Sequence, residues 1–397
     1  MSADSTSDAP LSTYQSMRDF GETPEPAGAV GSPPAEGPRF VIQEHHATAL
    51  HWDLRLERHG VLVSWALPKG IPPDPRVNHL AVHTEDHPLE YLSFHGQIPS
   101  GNYGAGTMTI WDTGTYEIEK WADREVIVVL HGEKAKGRHV LFQTRGKQWM
   151  IHRMDPPADP GREVWPGWAA FEPMIAVPGD GLPAGPYGVE FAWGGLRALT
   201  YVSGGRVQLR GGPPVMDWGK GDRGAMQAVP GSGAGDAVPA EAGAGGSLAV
   251  EIWRFGELRP LGEALGVTEV VLDGELIVVG DDGRPSPERL AQRLAVRSDS
   301  AARRLAGRHR ATLMIFDLLW LDGHRMISVP YAERRRLLEG LKLAGPAWQV
   351  PASYSRQDGA ALLLAAGQQG LPGVIAKHRE SQYRPGPADG EWVFVPA

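Results

Sequence analysis

The 397-residue sequence carries a net charge of −8, is 42% hydrophobic and contains no cysteine. The lack of cysteine excludes disulfides, zinc–thiolate sites and iron–sulfur clusters, so any metal must be bound by nitrogen and oxygen ligands. The negative charge argues against a general coat for nucleic acid, and the length predicts two folded domains.

Residues 1–37 are predicted to form a disordered tail. They are rich in Ser, Pro, Gly and acids, and they lack hydrophobic periodicity, so burial cannot offset the entropy lost on ordering. The start MSADSTSDAP has no basic or apolar region of a signal peptide, and no apolar run reaches membrane-spanning length. We therefore expect a cytoplasmic protein with no membrane partner.

Short strand-like segments follow from Phe40 to about Arg153. They are separated by Gly, Pro and Asp-Gly-type turns, and typical examples are LHWDLRLE, GTMTIWD and EVIVVLHG. Their even spacing predicts a small β-barrel or sandwich, which we assign to residues 38–157.

The rest of the chain is predicted to hold a linker and a second domain. Residues 158–170 have linker composition. In residues 171–397, strand patterns such as VVLDGELIVVG mix with helix patterns such as PERLAQRLAVR, YAERRRLLEGL and DGAALLLAAGQQ, which predicts an α+β domain. Residues 213–247 are rich in Gly, Ala and Pro and are predicted to be a flexible insertion. The chain as a whole is thus predicted to be α+β multidomain.

The stretch HHATALHWDLRLERHG, residues 45–60, places histidines beside a strand pattern. In an extended strand His51 and Asp53 share one face, and His45 just upstream can supply a third ligand. Two imidazoles and a carboxylate are typical of a Mn²⁺, Fe²⁺ or Zn²⁺ site. The same alternation also fits an ordinary half-buried strand with a solvated polar face, so the pattern alone leaves both interpretations open.

Residues suited to phosphate chemistry follow within about forty positions. Arg55 is able to pair bidentately with a phosphate, and Lys69 adds a second cation. His87 precedes a proline in a predicted turn, where catalytic groups are often displayed. Each alone is more often a surface residue, but together with a metal they favour a phosphoryl site.

Residues 38–155 resemble the 3′-phosphoesterase domain found at the N-terminus of bacterial DNA ligase D and as a stand-alone end-healing enzyme. The resemblance rests on FVIQEHHATALHWDLRLERHGVLVSWALPKG, LAVHTEDHPLEY and GQIPSGNYGAGTMTIWDTGTYE. It implies removal of 3′-phosphates or 3′-ribonucleosides from DNA ends during break repair by non-homologous end joining. It also implies Mn²⁺, or another divalent metal, as the cofactor.

The resemblance assigns roles residue by residue. The implied metal ligands are His45, His51 and Asp53, and the implied catalytic surroundings are Arg55, Lys69, His87, Tyr91 and Gln43. The family tends to have arginine where this chain has His79, which implies weaker phosphate binding here.

Residues 171–397 resemble the nucleotidyltransferase domain of ATP-dependent DNA ligases. The matching motifs are VVLDGELIVV with Glu275, FDLLWLDG, and GVIAKHRESQYRPG with Lys377. The first motif, normally Lys-x-Asp-Gly-x-Arg, is AWGGLR in residues 192–197, so the nucleophilic lysine is lost. Pro372 replaces a glutamate, and Phe394 and Pro396 stand where lysines are expected.

These departures imply a degenerate, inactive ligase domain, and we expect no OB-fold domain after it. Arg197, Glu275 and Lys377 are candidates for vestigial nucleotide binding or for structural remnants, so ATP binding stays open. The implied partners are DNA 3′ ends, a Ku-type end-binding protein and a separate active ligase.

A basic segment, residues 134–153, carries six Lys or Arg and no acid. Such a run is often just a solvated face, but here it belongs to the same predicted domain as the metal site. The DNA-binding candidates are Lys134, Lys136, Arg138, Arg145 and Lys147.

Two other functions compete with the phosphoesterase. A mononuclear iron oxygenase would use His51, Asp53 and His87 as a facial triad. A non-catalytic DNA-end scaffold would need none of these groups, and the intact ligand set argues against it.

Overall fold

The computed structural model describes residues 10–30, 37–157, 159–212 and 249–397. The chain divides between Val164 and Trp165 into two compact units. The predicted insertion 213–247 and parts of the predicted tail, residues 1–9 and 31–36, lie outside the described residues. Among the described residues no helix is both long and apolar enough to cross a membrane.

The first unit is a β-barrel, as predicted. Its strands are β1 (Arg39–His46), β2 (Leu50–Arg58), β3 (Val61–Leu67), β4 (Asn78–His83), β5 (Gly96–Ile98), β6 (Gly106–Ala122), β7 (Glu125–His131), β8 (Lys136–Arg145) and β9 (Gln148–Arg153). Eight antiparallel strands follow the order β1-β2-β3-β4-β9-β8-β7-β6, and β6 pairs back to β1 to close the barrel. The short β5 pairs with β6.

Alternation along β2 separates the barrel core from the polar outer face. Leu50, Trp52, Leu54 and Leu56 point into the core and are at most 7% exposed. The residues between them, from His51 to Glu57, therefore lie on the outside of the barrel. This alternation positions the candidate site on the outer face of β1, β2 and β3.

Residues 10–30 pack against this outer face, so the prediction of a disordered tail is wrong for them. They include the short helix α1 (Ser12–Ser16), and the Tyr14 side chain is fully buried against Leu62 and Tyr91. The Tyr14 hydroxyl donates to the Pro26 carbonyl over 2.5 Å. Composition missed this segment because few of its residues, Leu11 and Tyr14 among them, are buried apolar side chains.

The second unit is an α+β domain, as predicted. Its strands are β10 (Met174–Ile175), β11 (Val177–Pro178), β12 (Tyr187–Ala192), β13 (Leu196–Ser203), β14 (Arg206–Gly211), β15 (Ala249–Val250), β16 (Val270–Val278), β17 (Ala311–Leu321), β18 (His324–Arg325), β19 (Ala344–Gly345), β20 (Trp348–Gln349), β21 (Tyr354–Ser355), β22 (Gly373–His378), β23 (Gly386–Pro387) and β24 (Trp392–Pro396). Its helices are α2 (Pro260–Leu265), α3 (Pro287–Leu294), α4 (Asp299–Ala306), α5 (Tyr331–Gly340) and α6 (Gly359–Gln368). The three predicted helix patterns correspond to α3, α5 and α6.

Two mainly antiparallel sheets form most of this unit, with strand orders β11-β24-β22-β12-β21 and β15-β14-β13-β16-β17-β20-β19, and β10 and β23 form a separate parallel pair. Side chains from both sheets share one apolar cluster, so the sheets pack face to face. Trp165 joins this cluster by stacking on Tyr201 with ring centroids 4.0 Å apart. The linker prediction is therefore wrong for residues 165–170, which belong to the second unit.

Candidate metal and phosphate site

Two neighbouring strands bring the three predicted metal ligands together. In the β1–β2 register His45 lies opposite His51, and Gln43 lies opposite Asp53. The Asp53 carboxylate oxygens are 3.6 Å from His45 Nδ1 and 3.6 Å from His51 Nε2. One ligand atom from each of these residues lies within 4.8 Å of the others. Three donors at this spacing fit around one cation.

Backbone carbonyls orient both imidazoles. His45 Nε2 lies 2.9 Å from the Gly104 carbonyl, and His51 Nδ1 lies 2.9 Å from the Ala49 carbonyl. Because a carbonyl only accepts, each of these nitrogens carries the proton, which leaves His45 Nδ1 and His51 Nε2 with free lone pairs. Neutral imidazoles and a carboxylate form a donor set suited to a divalent transition metal.

Asp53 is held in its charged form. Burial raises the pKa of Asp53, but nearby positive charge, Arg55 first, outweighs burial and holds that pKa well below its usual range. Arg55 Nη2 donates to Asp53 Oδ2 over 3.0 Å. Asp53 is therefore a ready anionic ligand at neutral pH.

Arg55 is fixed by a buried frame. Its Nε donates to Gln43 Oε1 over 2.7 Å, and its Nη1 donates to Ser64 Oγ over 3.0 Å. Gln43 in turn donates to the Tyr91 and Phe94 carbonyls, while the Tyr91 ring lies 4.8 Å from the guanidinium. Gln43 and Tyr91, predicted as site residues, thus contact Arg55 in the structure.

His87 is buried next to Arg55 and is neutral. Its Nδ1 donates to the Glu85 carbonyl over 2.8 Å, so its Nε2 accepts from Arg18 Nη2 at 3.3 Å. Burial, assisted by Arg55 and Arg18, lowers the pKa of His87 well below its usual value. A neutral imidazole suits proton transfer once its Nε2 lone pair is released from Arg18.

Besides Ser64, the sequence did not predict Arg18, Glu25 or Glu85 as members of this network. Arg18 donates to Glu25 over 2.7 Å and to Glu85 over 3.1 Å, and its side chain is only 4% exposed. Glu25 also accepts a short hydrogen bond from the Tyr91 hydroxyl. Arg18 and Glu25 escaped notice because they lie in the segment predicted to be disordered. The presence of an arginine and aromatic residues within this otherwise polar segment could have indicated that it packs against the barrel.

Lys69 and His79 lie at the edge of this site. Lys69 is exposed, two residues beyond Leu67, which pairs with Trp52. Lys69 is therefore level with the metal-ligand end of β2. His79 Nδ1 donates to the Gly70 carbonyl over 2.8 Å, which fixes its ring beside the Lys69 loop.

His87 is not a fourth member of the ligand cluster. Among the described residues the donor atoms that converge are those of His45, His51 and Asp53. The Nε2 lone pair of His87 is directed at Arg18. The facial-triad alternative built on His51, Asp53 and His87 is therefore wrong on geometric grounds.

The predicted basic segment does not form one surface. Lys134 and Lys136 lie at the start of β8, whereas Arg145 and Lys147 lie at its far end, roughly 30 Å away at the usual rise per residue. At the first end Arg138 is paired with Glu119 at 2.6 Å. Two separate basic clusters replace the single predicted patch.

In the second unit, two positions expected to carry lysines lie in the apolar cluster between the sheets. Ala192 is fully buried and Phe394 is 8% exposed, and both belong to this cluster. Next to them, Gly194 and Pro372 stand where acidic residues are expected. A Cβ on Gly194 would lie 2.9 Å from Pro372 Cγ, so these two replacements pack on each other.

The charged motif residues of the second unit are paired inside the protein. Arg197 and Asp273 form a fully buried ion pair, and the Tyr383 hydroxyl donates to Asp273 over 2.6 Å. Lys377 Nζ lies 2.8 Å from Glu190 Oε2. Burial lowers the pKa of Lys377, although Glu190 opposes this.

Glu275 faces the altered first motif. Its Oε2 accepts a hydrogen bond from the Trp193 amide over 3.1 Å. Burial raises the pKa of Glu275 to about 7. Its charge is therefore poorly compensated, in contrast to the paired Arg197 and Lys377.

Two family descriptions match separate parts of the chain. The DNA Ligase D 3′-phosphoesterase domain matches residues 43–143, and the ATP dependent DNA ligase domain matches residues 261–394. Each match falls within one of the two units.

Relatives cover nearly the whole chain. The multifunctional non-homologous end joining protein LigD of Mycobacterium bovis is 40% identical over 390 residues, which span 96% of this chain and 44% of the relative. The protein of the same name from Pseudomonas aeruginosa is 31% identical, over 95% of this chain and 46% of the relative. A solved structure, mycobacterial DNA ligase D complexed with ATP and MES, is 29% identical over 58% of this chain and 61% of that chain, with a TM-score of 0.41. The chain thus spans less than half the length of these curated relatives.

Proposed function

Because the chain carries a DNA ligase D 3′-phosphoesterase domain and an ATP-dependent DNA ligase domain, we propose that it processes DNA 3′ ends in non-homologous end joining. The proposed reaction is Mn²⁺-dependent removal of a 3′-phosphate or 3′-ribonucleoside. The observation that carries the proposal is the convergence of three ligand atoms beside a buried arginine and a neutral histidine.

His45, His51 and Asp53 hold the cation in this proposal. When bound, it neutralises phosphate charge and polarises the attacking water or ribose hydroxyl. The two backbone hydrogen bonds keep the imidazole lone pairs in place, and Arg55 keeps the Asp53 carboxylate ionised. The chain therefore presents a preorganised ligand set.

Arg55 binds the scissile phosphate in this proposal. Its contacts to Ser64 and Asp53 use one N–H on each terminal nitrogen. A guanidinium has two N–H groups on each terminal nitrogen, so one on each is left for non-bridging phosphate oxygens. Lys69 is exposed and able to reach the same phosphate as a second cation.

His87 handles the proton in this proposal. Its Nε2 lone pair accepts from Arg18 Nη2 over 3.3 Å, so proton transfer requires this contact to open when the substrate binds. As a neutral base it accepts a proton from the nucleophile or, once protonated, stabilises the leaving oxygen. Gln43 and Tyr91 act through Arg55 and are positioning residues.

The ligase-like domain does not ligate in this proposal. The first step of ligation needs a lysine amine at the position of Ala192, which is fully buried among apolar side chains. Phe394 fills the place of a second lysine, and Gly194 packs against Pro372 where two acids are expected. Arg197 pairs with Asp273 and Lys377 pairs with Glu190, which supports a structural role for them, although Arg197 Nη1 has no hydrogen-bond partner among the described residues.

The proposed macromolecular partners are DNA 3′ ends, a Ku-type end-binding protein and a separate active ligase. The proposal of DNA 3′ ends follows from the chemistry of the site. The other two follow from the end-joining relatives, and a chain that prepares ends without sealing them needs a ligase to complete repair.

The phosphoesterase proposal is tested by incubating the full chain with primer-templates that end in a 3′-phosphate or a 3′-ribonucleotide, with and without Mn²⁺. We expect phosphate or nucleoside release only with metal. Release that is equal in EDTA contradicts the metal-dependent mechanism. No release from either substrate favours the scaffold alternative.

The ligase proposal is tested with radiolabelled ATP and Mg²⁺ or Mn²⁺, followed by denaturing electrophoresis and a nick-sealing assay. We expect no label on the protein and no sealing. A band that keeps its label after denaturation overturns this part of the proposal.

A further inference from the structure

A cavity of about 400 Å³ opens at one end of the barrel. It is formed by the β2–β3, β6–β7 and β8–β9 hairpins and the end of β4, and its walls include Trp65, Trp121, Trp149 and His83. On β3, Trp65 alternates with Ser64, which contacts Arg55. The cavity and the candidate catalytic site are therefore on opposite faces of the same strand.

Aromatic rings form much of the walls of this barrel-end cavity. The Trp65 ring lies 5.8 Å from that of Trp149, which stacks on His83 at 6.0 Å with an interplanar angle of 27°. Burial lowers the pKa of His83, with help from Lys147, so His83 is neutral. A flat aromatic ligand complements such walls.

The rim of the cavity is basic. The Arg58 guanidinium lies 4.3 Å above the Trp121 ring, and no described residue forms an ion pair with it. Lys147 is exposed on the rim, and Arg124 and Arg145 extend from the adjacent β6–β7 and β8–β9 hairpins. Asp123 is the acid among the lining residues. The rim therefore favours an anionic ligand.

We propose that the barrel-end cavity binds an unpaired base of single-stranded nucleic acid, with the rim cations on the flanking phosphates. Aromatic walls with adjacent cations are how proteins hold unpaired bases without reading sequence. A cationic ligand is disfavoured, because Arg58 already covers one face of Trp121. The inference goes beyond the proposed function, since binding here needs neither the metal nor the reacting 3′ end.

The test compares two strands of equal length and charge, an oligothymidylate and an abasic sugar-phosphate strand, by fluorescence anisotropy with the full chain in EDTA. We expect the strand with bases to bind roughly tenfold more tightly, as one stacked base provides. Trp121→Ala removes this difference, whereas Trp121→Phe keeps most of it. Trp111→Ala, a tryptophan near the other end of β6, is the matched control.

Equal affinity for the two strands, or a base preference that survives Trp121→Ala, overturns the inference. Thermal unfolding of each variant identifies any loss of fold, and Trp121→Phe keeps the test valid if Trp121→Ala unfolds. Phosphate release with Mn²⁺ is measured in parallel. Failure of the phosphoesterase proposal removes that release and leaves the base preference, so the two failures are distinguishable.

Discussion

Each of the two units brings a group of ionisable residues together, but the two groups are arranged differently. In the first unit His45 and His51 are held by backbone carbonyls and keep lone pairs directed at one point beside Asp53. In the second unit Arg197 forms an ion pair with Asp273 and Lys377 forms one with Glu190, although Arg197 Nη1 has no hydrogen-bond partner among the described residues. A cluster whose lone pairs converge on one point is arranged for a cation, whereas charges that neutralise each other belong to the core. Retained motif residues therefore indicate function only when their partners leave them available.

The largest expected effect is at the ligand set of the first unit. His51→Ala or Asp53→Ala removes a metal ligand, so we expect Mn²⁺-dependent phosphate release to fall at least about 100-fold. The apolar side of β2 is untouched, so thermal unfolding should change little. His131→Ala, an exposed histidine of the same barrel, is the control. Wild-type turnover in either ligand variant means that the assignment is wrong.

The converse change is made in the second unit, where Ala192→Lys restores the missing amine. We expect no adenylation, because the lysine side chain enters the apolar cluster and the acids expected at residues 194 and 372 are absent. An unpaired buried ammonium should lower the free energy of unfolding by roughly 3 kcal/mol. Denaturant unfolding and ATP labelling measure both effects, with the exposed Ala360→Lys as control. Adenylation of the Ala192→Lys protein would contradict the interpretation that the second unit has lost its ligand-binding arrangement.

A substitution at Glu275 tests whether the second unit contains a buried carboxylate whose charge is poorly compensated. Its pKa is about 7 in the folded state and 4.5 without burial, so Glu275 stays protonated to a higher pH in the folded chain than in the unfolded chain. Its contribution to stability is present below pH 4.5 and is lost as the pH rises to 7. Glu275→Gln should therefore stabilise the chain by up to about 3 kcal/mol at pH 8 and hardly at all near pH 4.5. The same gain at both values, measured by denaturant unfolding, contradicts the assigned cause; the exposed Glu380→Gln should show none.

Arg18 tests the electrostatics of the first unit. Its charge helps to lower the pKa of His87, after burial and Arg55. Arg18→Gln should reduce phosphate release roughly tenfold and move the acid limb of the pH–rate profile upwards, towards the ordinary histidine value. Arg39→Gln also loses an ion pair to a buried glutamate, Glu57, and should leave the profile in place. An unshifted acid limb in Arg18→Gln excludes His87 as the group being titrated.

The smallest effect concerns DNA contact by the first unit. Replacing Lys134, Lys136 and Arg138 by Glu should weaken primer-template binding a few-fold and flatten its salt dependence. The effect is small because Glu119 already neutralises Arg138. The matched pair Arg145→Glu and Lys147→Glu, at the opposite end of β8, should weaken binding more. Filter-binding titrations at several salt concentrations measure how much each set of substitutions weakens DNA binding. A larger loss from the Lys134, Lys136 and Arg138 set contradicts the expected order.

Much of the first unit could be predicted from local pattern. Alternation predicts the strands, and it also predicts that two of the proposed ligands, His51 and Asp53, share one face. Both domain resemblances are confirmed by the matched families. The places of Arg18 and Glu25 could not be predicted, because their burial depends on β3 and on Tyr91, far away in sequence. Cytoplasmic location and the lack of an OB-fold domain stay predictions.

In the second unit the sequence by itself determined which motif positions are altered, since a lysine missing at residue 192 is visible in the letters. Only the tertiary structure decided what the altered positions do: Ala192 and Phe394 meet in one apolar cluster, and Gly194 meets Pro372. The tertiary structure likewise separated the two ends of the basic segment and assembled the barrel-end cavity from three hairpins. The physical reason is that residue type and strand period act over a few neighbouring residues, whereas burial and charge pairing depend on which distant strands pack together.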